Sequence, residues 1–130
     1  MRELLCVFLG GGFGSLLRYF FVLAKQHLSL NPVSSMGQTL FPWPTLVANL
    51  LGCFLIGLFY SLSARFGWSN EVRLLLTTGL CGGFTTFSTF SNEGMTFLRE
   101  GHYSLFALYF GLTLAFGLAA VALGIVLGNK

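Results

Sequence analysis

Charged residues are scarce in this chain, since Asp, Glu, Lys and Arg make up only 8% of its 130 residues. Soluble domains carry about 25% charged residues, and the mean hydropathy of this chain is +0.79. The composition therefore excludes a soluble domain and predicts an integral membrane protein. The net charge of +3 is small, and the cations lie at the ends of apolar segments, where lipid headgroups are expected. The charge pattern therefore predicts no nucleic acid partner.

The side chains that most enzymes and metal sites require are also few. The three cysteines, Cys6, Cys53 and Cys81, lie in apolar runs without CxxC spacing, which argues against a disulfide framework or a zinc site. His27 and His102 belong to no cluster with metal-ligand spacing, and no Ser-His-Asp or Cys-His set is apparent. No pair of carboxylates at membrane depth offers a proton relay. The sequence therefore predicts that the protein is not an enzyme.

Four apolar segments are long enough to cross a bilayer, which takes about 20 residues of helix. They cover about residues 4–24, 45–64, 72–98 and 104–127, and the third is interrupted near Gly82 and Gly83. The predicted fold is therefore an all-α integral membrane protein with four transmembrane helices, the third of them broken. We expect these helices to form one transmembrane domain over residues 1–130.

Small residues and prolines indicate how these segments pack and connect. Gly10 with Gly14, and Gly124 with Gly128, have the GxxxG spacing that lets helix backbones approach closely. The longest connection spans residues 25–44 and contains all three prolines of the chain. Proline imposes extended or turn geometry on such a connection.

The distribution of cations carries almost no orientation signal. With four spans both termini lie on one side, which holds four cations while the other side holds three: Arg2, Arg65, Arg73 and Lys130 against Arg18, Lys25 and Arg99. An excess of one charge is too small for the positive-inside rule to fix the orientation. The sequence therefore predicts insertion in both orientations and pairing with an inverted copy. The alternative is that assembly or another factor sets a single orientation.

A polar, glycine-rich stretch lies at membrane depth in the third span, at residues 77–92. Seven of its sixteen residues carry hydroxyl groups, three are glycine, and no residue between Arg73 and Glu93 is charged. Unwound backbone is tolerated at that depth only inside protein or beside a wet cavity. Glycine weakens a helix by about 1 kcal/mol relative to alanine, and backbone groups freed at such breaks bind ions. The stretch predicts a broken helix at a permeation or binding site, the alternative being an intact helix packed closely through its glycines.

Two rows of residues recur at every third position after the glycines: Phe84, Phe87 and Phe90, and Thr85, Ser88 and Ser91. On a helix these rows place an aromatic and a hydroxyl surface side by side. The edge of a phenyl ring is positive, so ring edges beside hydroxyl donors can solvate an anion without a fixed cation. A fixed cation would hold the anion too tightly for conduction. The alternative is an aromatic packing stripe, which is common for Phe at helical spacing.

Three further polar residues lie within or near the spans. The Asn49 amide in the second span offers two donors and an acceptor that lipid cannot satisfy. It either lines a path or joins helices by hydrogen bonds. Arg18 is expected at an anion vestibule or at the headgroups, and Glu93 is expected to cap the hydroxyl run or to pair with a cation.

Three motifs of the chain carry a family resemblance. They are residues 11–19 (GGFGSLLRY), 45–52 (TLVANLLG) and 82–90 (GGFTTFSTF). In these motifs the chain closely resembles the Fluc (CrcB) family of bacterial fluoride channels, and the likeness covers the whole chain in order, size and four-helix layout. The third motif is the most specific of the three.

The resemblance implies an antiparallel, dual-topology homodimer with two fluoride pores along the subunit interfaces. It implies that Asn49 is a pore-lining donor. It also implies that the ring edges of Phe87 and Phe90, one from each subunit, contact fluoride in a given pore. The hydroxyl groups of Ser88 and Ser91 are then expected beside the ion path.

The resemblance further implies a polar track on the fourth helix, here Tyr109 and Thr113, and a vestibule arginine, here Arg18. It implies a structural Na⁺ at the dimer centre that does not permeate, bound by the backbone carbonyls of Gly82 and Thr85. Two carbonyls from each of two subunits would supply four hard oxygen ligands, which suit a small hard cation. The implied partners are fluoride, a second copy of the chain and the lipid bilayer.

The function that the resemblance implies is passive, fluoride-selective export across the bacterial cytoplasmic membrane, which lowers cytoplasmic fluoride. The runner-up is a small dual-topology, proton-coupled multidrug exporter. That mechanism needs an acidic residue within the first helix, where Glu3 lies at the extreme end, and Glu93 is a poor substitute. A third alternative, a scaffold that transports nothing, leaves the polar stretch unexplained.

Overall fold

The computed structural model describes residues 1–28 and 41–130, and all regular secondary structure in these two ranges is helical. The elements in chain order are α1 (Arg2–Leu28), α2 (Trp43–Phe66), α3 (Asn70–Leu74), a π-helix (Leu75–Cys81), α4 (Gly82–Phe84), α5 (Phe87–Arg99) and α6 (Tyr103–Gly128). The expected bending of the proline-containing connection falls largely on residues 29–40, which lie outside the described residues. The prediction of an all-α fold is confirmed for the described part of the chain.

Three helices in the described ranges are long and apolar enough to cross a membrane: α1 over Arg2–Ala24, then α2 and α6. Their mean hydropathies are 1.6, 1.9 and 2.4. The third predicted span corresponds to residues 70–99, which form several helical pieces instead of one continuous helix. The chain is therefore a multi-pass membrane protein, while four complete crossings and an inverted dimer stay predictions.

Local sequence signals explain where these helices begin and end. Pro44 lies in the first turn of α2, where its missing N–H costs no helical hydrogen bond. Gly67 ends α2 with a φ of 59°, a left-handed conformation that glycine adopts without a Cβ penalty. The Ser69 hydroxyl accepts the Val72 N–H at 3.4 Å and caps α3. Gly101, with a φ of 75°, makes the turn between α5 and α6.

Glycines bring α1 and the π-helix into backbone contact. A Cβ atom at Gly10 would overlap the carbonyl oxygen of Leu75, and one at Gly14 would overlap that of Leu80. A Cβ at Gly79 would lie 3.0 Å from the Cα of Gly10. The GxxxG spacing of α1 therefore serves close helix packing, as the sequence predicts.

Glycine and a buried hydroxyl join α2 to α6 in a similar way. A Cβ at Gly124 would overlap the Phe54 carbonyl oxygen, so the two backbones meet there. About one helical turn before the end of α2, the single hydrogen of the Ser61 hydroxyl is shared between Asn129 Oδ1 at 2.7 Å and the Ile125 carbonyl oxygen at 3.0 Å. These contacts join α2 to the C-terminus of α6, where the Ile125 carbonyl also accepts the Asn129 N–H at 3.1 Å.

The interruption in the third span lies at Thr85 and Thr86, beyond the predicted position at Gly82 and Gly83. Thr85 (φ −83°, ψ 158°) and Thr86 (φ −150°, ψ 118°) have extended backbone, whereas the two glycines remain helical. The second glycine serves packing, because a Cβ at Gly83 would overlap the Gly11 carbonyl oxygen. A true break and glycine packing therefore both occur, but at different residues.

The π-helix at Leu75–Cys81 has no counterpart in any sequence pattern described above. Such helices are rare and are often found at functional sites. The extended backbone at Thr85 and Thr86 separates Phe84, the last residue of α4, from the helical row of Phe87 and Phe90. Phe84 packs instead on Phe21 of α1, with ring centroids 5.6 Å apart. The aromatic row after the break therefore begins at Phe87.

The buried core of the described residues is aromatic and joins α5, α6 and the start of α2. Phe90, Phe97 and Tyr109 are at most 3% exposed and pack with Leu46. The ring centroid of Phe90 lies 5.0 Å from that of Tyr109 and 4.3 Å from that of Phe110, separations close to those of stabilising aromatic pairs. Within this chain Phe90 is therefore a packing residue.

Replacement of Gly14 by alanine should destabilise the packing of α1 on the π-helix. The added Cβ would overlap the Leu80 carbonyl oxygen, and overpacking of this kind costs about 1–3 kcal/mol. Gly12→Ala is the matched control, because a Cβ at Gly12 meets no atom within 4 Å. Thermal unfolding of both purified variants in detergent measures the difference, and equal midpoints would contradict the packing role of Gly14.

Candidate functional site at the helix break

The Asn49 side chain holds the extended backbone at Thr86. Its Oδ1 accepts the Thr86 N–H at 2.8 Å, and its Nδ2 donates to the Thr86 carbonyl oxygen at 3.2 Å. Asn49 is only 9% exposed, so the pair satisfies two backbone groups that lipid could not satisfy. An amide nitrogen carries two hydrogens, and this pair uses one of them.

The Thr86 side chain begins the helix that follows. Its Oγ1 accepts the Thr89 N–H at 3.2 Å, as an N-cap threonine does. The same oxygen lies 3.1 Å from Thr89 Oγ1 and 3.2 Å from the Ser88 hydroxyl. Three hydroxyl groups therefore gather at the first turn of α5.

These two interactions leave two carbonyl groups without their helical donors. In an unbroken helix the Thr86 N–H would bind the Gly82 carbonyl, four residues earlier. The Thr89 N–H would likewise bind the Thr85 carbonyl. Asn49 Oδ1 and the Thr86 hydroxyl accept these hydrogens instead. The two freed carbonyls belong to the residues for which the resemblance implies cation ligands.

A groove of about 340 Å³ lies beside the break, between α2, α4 and α6. Its wall is mostly apolar, and its polar side chains come from Asn49, Thr85, Thr86 and Thr113, with Gly82 alongside. None of the described residues that line it is Asp, Glu, Lys, Arg or His. The groove therefore offers amide and hydroxyl groups without a fixed charge.

A second cavity, of about 230 Å³, contains Arg18 and shares one lining residue, Thr86, with the groove. Ser15, Thr45 and Thr89 add hydroxyl groups to its wall. The structure thus places Arg18 in a cavity next to the groove and not within it. The backbone held by Asn49 separates a space with a cation from a space without one.

The Glu93 carboxylate joins α5 to both neighbouring helices. Its Oε1 accepts the Thr45 hydroxyl and its Oε2 accepts the Tyr109 hydroxyl, each at 2.7 Å. This arrangement differs from both expectations for Glu93, a cap on the hydroxyl run or a partner for a cation. Short hydrogen bonds to a carboxylate are strong, so two hydroxyl donors satisfy it here without a cation.

The two residues expected on the polar track of α6 use their hydroxyl hydrogens within the chain. Tyr109 is fully buried and donates to Glu93, and the Thr113 hydroxyl donates to the Tyr109 carbonyl at 2.7 Å. Thr113 lines the groove, whereas Tyr109 belongs to the aromatic core. One chain by itself therefore brings only Thr113 of this pair to the groove.

The remaining predicted site residues divide between the core and the surface of α5. Phe87 is 79% exposed, whereas Phe90 is 3% exposed, and their ring centroids lie 6.0 Å apart. Ser88 is exposed and Ser91 is half-buried, and neither lines the groove or the cavity of Arg18. A single chain therefore does not bring these four side chains into one site with the groove.

The oxygen atoms available as ligands at the break fit a small hard cation better than a transition metal. The described residues contain no group of three or more His, Cys, Asp and Glu side chains that could hold a metal ion. The Gly82 and Thr85 carbonyls are hard oxygen ligands, and a Cβ at Gly82 would meet no atom within 4 Å. The residues present therefore fit Na⁺, although one chain supplies only two of the four oxygens that the resemblance implies.

Comparison with known proteins identifies the family. The family model described as "CrcB-like protein, Camphor Resistance (CrcB)" matches residues 5–125. The chain belongs to the CrcB family. This finding confirms the resemblance drawn from the three sequence motifs.

Relatives that carry the name fluoride-specific ion channel FluC are similar to this chain over nearly their whole length. A protein of Phocaeicola vulgatus is 48% identical over 125 residues, which cover 96% of this chain and 97% of the relative. A protein of Bacteroides fragilis is 44% identical over 130 residues, covering 100% of this chain and 98% of the relative. A protein of Gloeothece citriformis is 43% identical over 132 residues, covering 100% and 99%.

Two residues of this CrcB-family chain have roles that the sequence reasoning missed, since Thr45 binds Glu93 and Thr86 caps α5. Thr45 lies four residues before Asn49, so helical periodicity places its hydroxyl on the same face as the amide. Thr86 directly precedes Phe87, and a threonine before a helix with an apolar face is typical of an N-cap. Both signals were present in the sequence. The sequence did not show which side chains these residues meet, because Glu93 reaches Thr45 from α5 and Asn49 reaches the Thr86 backbone from α2.

Replacement of Glu93 by glutamine should lower the stability of the folded chain. A glutamine amide presents an acceptor oxygen on one side and only N–H donors on the other, so the hydroxyl hydrogen of Thr45 or Tyr109 loses its acceptor, which costs about 1–3 kcal/mol. Glu100→Gln is the matched control, because Glu100 is exposed. Thermal unfolding in detergent should show a lower midpoint for Glu93→Gln alone, and a midpoint equal to the control would argue against this role.

Proposed function

We propose that this protein is a fluoride-selective channel through which fluoride leaves the bacterial cytoplasm passively. Membership of the CrcB family supports this, since the named relatives are fluoride-specific ion channels. One structural observation carries it further: a groove without a described charged side chain adjoins, at Thr86, a cavity that holds Arg18. A cation in the cavity next to the groove raises the local concentration of anions, and the uncharged groove lets them leave again.

The polar groups at the break suit fluoride in particular. Fluoride is small and strongly hydrated, so a path that removes its water must replace it with several short hydrogen bonds. In this proposal the second Nδ2 hydrogen of Asn49 and the hydroxyls of Ser88 and Ser91 are donors. The ring edges of Phe87 and Phe90 add positive charge without a formal cation. Chloride is larger and would fit such a path less closely.

Tyr109 and Thr113 extend this path along α6 in the proposal. Their hydroxyl hydrogens presently bind Glu93 and the Tyr109 carbonyl. A hydroxyl group rotates about its C–O bond and both donates and accepts, so each can exchange its present acceptor for an ion. Arg18 serves at the entrance, where it attracts the anion.

The complete channel is, in this proposal, an antiparallel homodimer of dual topology. Phe87 and Gly82 are exposed in one chain, at a depth where a ring and a freed carbonyl would otherwise face lipid. An inverted second copy would cover both groups, and each pore would then receive one phenylalanine ring from each subunit. The cation excess of one charge is consistent with insertion in both orientations.

A structural Na⁺ that is not transported belongs to the same proposal. The Gly82 and Thr85 carbonyls of each subunit would hold it, and their lack of helical donors supports this assignment. When bound, the ion would supply a positive charge that attracts the carbonyl oxygens of both breaks to the centre of the dimer. The need for a second pair of oxygens agrees with the proposed dimer.

The proposed location is the bacterial cytoplasmic membrane, with fluoride, the lipid bilayer and a second copy of the chain as partners. The named relatives are ion channels and not enzymes, which supports the prediction that this protein is not an enzyme. The described residues show no feature that favours a proton-coupled exporter, since α1 carries its one acidic residue, Glu3, in its first turn.

Purified protein in liposomes should release fluoride rapidly and chloride negligibly. Phe87→Ile and Phe90→Ile should each lower fluoride efflux about tenfold or more, which corresponds to about 1.4 kcal/mol at the permeation barrier. Ion-selective electrodes measure both anions, and size-exclusion chromatography checks that the assembly is intact. Unchanged fluoride efflux in both variants would refute the ring-edge role.

Two further variants control for the loss of a ring. Phe8→Ile removes a ring that is 75% exposed on α1, and Phe97→Ile removes one that is 3% exposed in the core. Both should keep the parent efflux, because neither residue belongs to the proposed path. Chloride efflux as fast as fluoride efflux would contradict the channel proposal. Ethidium uptake driven by a proton gradient would instead favour the multidrug exporter.

A tag fused to the C-terminus should be found on both sides of the cytoplasmic membrane, because the cation excess is only one charge. Accessibility of the tag to an impermeant reagent, before and after the cells are opened, measures the two populations. A tag found on one side only would contradict dual topology. It would leave the fluoride measurement in liposomes unaffected.

A further inference from the structure

The freed carbonyls at the break depend on two side chains that redirect backbone hydrogens. Asn49 Oδ1 accepts the Thr86 N–H at 2.8 Å, and Thr86 Oγ1 accepts the Thr89 N–H at 3.2 Å. Each hydrogen would otherwise return to a carbonyl four residues earlier, at Gly82 or Thr85. The break removes the helical donors of the Gly83 and Phe84 carbonyls as well, but of the four hydrogens concerned, side chains accept those that would bind Gly82 and Thr85.

We propose that Asn49 and the Thr86 hydroxyl are the positioning residues of the cation site, which keep the Gly82 and Thr85 carbonyls open to a small hard cation. The inference rests on the proposed central Na⁺ and names the groups that prepare its site. Neither side chain touches the ion in this scheme. Asn49 therefore serves two sites, because its second Nδ2 hydrogen remains for the anion path.

The backbone angles agree with this role. The ψ of Thr85 is 158°, whereas a helical residue has a ψ of about −42°. This rotation turns the Thr85 carbonyl away from the direction of the helix axis. The Asn49 amide holds the turned segment by satisfying both polar groups of Thr86. Without it, the Thr86 N–H would gain most at membrane depth by returning to the Gly82 carbonyl.

A second contact shows that α2 is shaped to receive the break. Gly52 follows Asn49 by three residues and lies on the same face of the helix. A Cβ at Gly52 would overlap Cγ2 of Thr85. One face of α2 therefore both binds the extended backbone and leaves room for its side chain, which a merely adventitious Asn49 contact would not require.

The test is the Na⁺ dependence of thermal unfolding, measured on the purified full-length protein in detergent. N-methylglucamine replaces Na⁺ so that the ionic strength stays constant. An ion that binds only the folded state stabilises it in proportion to ln(1 + [Na⁺]/Kd). Asn49→Leu and Thr86→Val should each raise the Na⁺ concentration needed for a given stabilisation about tenfold or more. Thr86→Ser keeps the hydroxyl and should restore the parent behaviour.

Ser61→Ala is the matched control for the loss of a buried hydrogen bond on α2. Ser61 lies twelve residues after Asn49, about 18 Å along the helix, and its hydroxyl binds α6. This variant should unfold at a lower temperature but keep the parent dependence on Na⁺. An equal loss of Na⁺ dependence in Ser61→Ala would assign the effect to general destabilisation and overturn the inference.

The remaining outcomes are also decisive. If Asn49→Leu does not fold, the pair Thr86→Val and Thr86→Ser decides, and equal Na⁺ dependence in these two overturns the inference. If Na⁺ does not stabilise the parent protein, both this inference and the proposed central cation fail. Fluoride efflux from liposomes is measured separately, so the channel proposal can stand while this inference falls.

Discussion

Backbone groups without hydrogen-bond partners are costly inside a membrane, and the Asn49 side chain satisfies both the N–H and the carbonyl of Thr86. It permits two residues of extended backbone in the middle of a span. The start of α5, the direction of the Thr85 carbonyl and the polar wall of the groove all follow from it. If the amide were absent, a continuous helix would be the favoured conformation of this segment, because the helix would satisfy the Thr86 N–H.

The break is also held from both sides by packing. Upstream, glycines on α1 and the π-helix bring their backbones together, so the helix before the break is fixed against α1. Downstream, Phe90 packs into the aromatic core, and Glu93 accepts hydroxyl hydrogens from α2 and α6. The irregular segment therefore lies between two rigid attachments, which would suit the proposed cation site because its ligands are backbone atoms.

One short segment thus presents two kinds of chemistry. Its freed carbonyls suit a cation, while the amide and hydroxyl groups around it suit an anion. In the proposed dimer the two would lie close together without a formal charge on any groove-lining side chain that the structure describes. Charge is concentrated instead at Arg18 in the adjoining cavity. In the proposed channel this separation would let an anion be attracted first and released from its tightest contact later.

The site could be predicted in part because its residues are unusual for their depth. Asn49, the hydroxyl run and the glycines stand out from an apolar background, and their motifs identified the family. The partners of Glu93 and the contact of Asn49 with the Thr86 backbone were not predictable, because each depends on which helices are neighbours. Phe84 shows the limit of periodicity: its spacing matches Phe87 and Phe90, yet the break between them places it against α1.

Sequence alone determined that this protein lies in a membrane, that it is helical, that its third span is interrupted and that it belongs to the CrcB family. Composition and local spacing suffice for these conclusions because they depend on residue type and near neighbours. Only the tertiary structure decided that the interruption falls at Thr85 and Thr86 and not at the glycines. The physical reason is that glycine weakens a helix wherever it occurs, whereas the hydrogen bonds that replace the helical ones come from Asn49, 37 residues earlier in the chain.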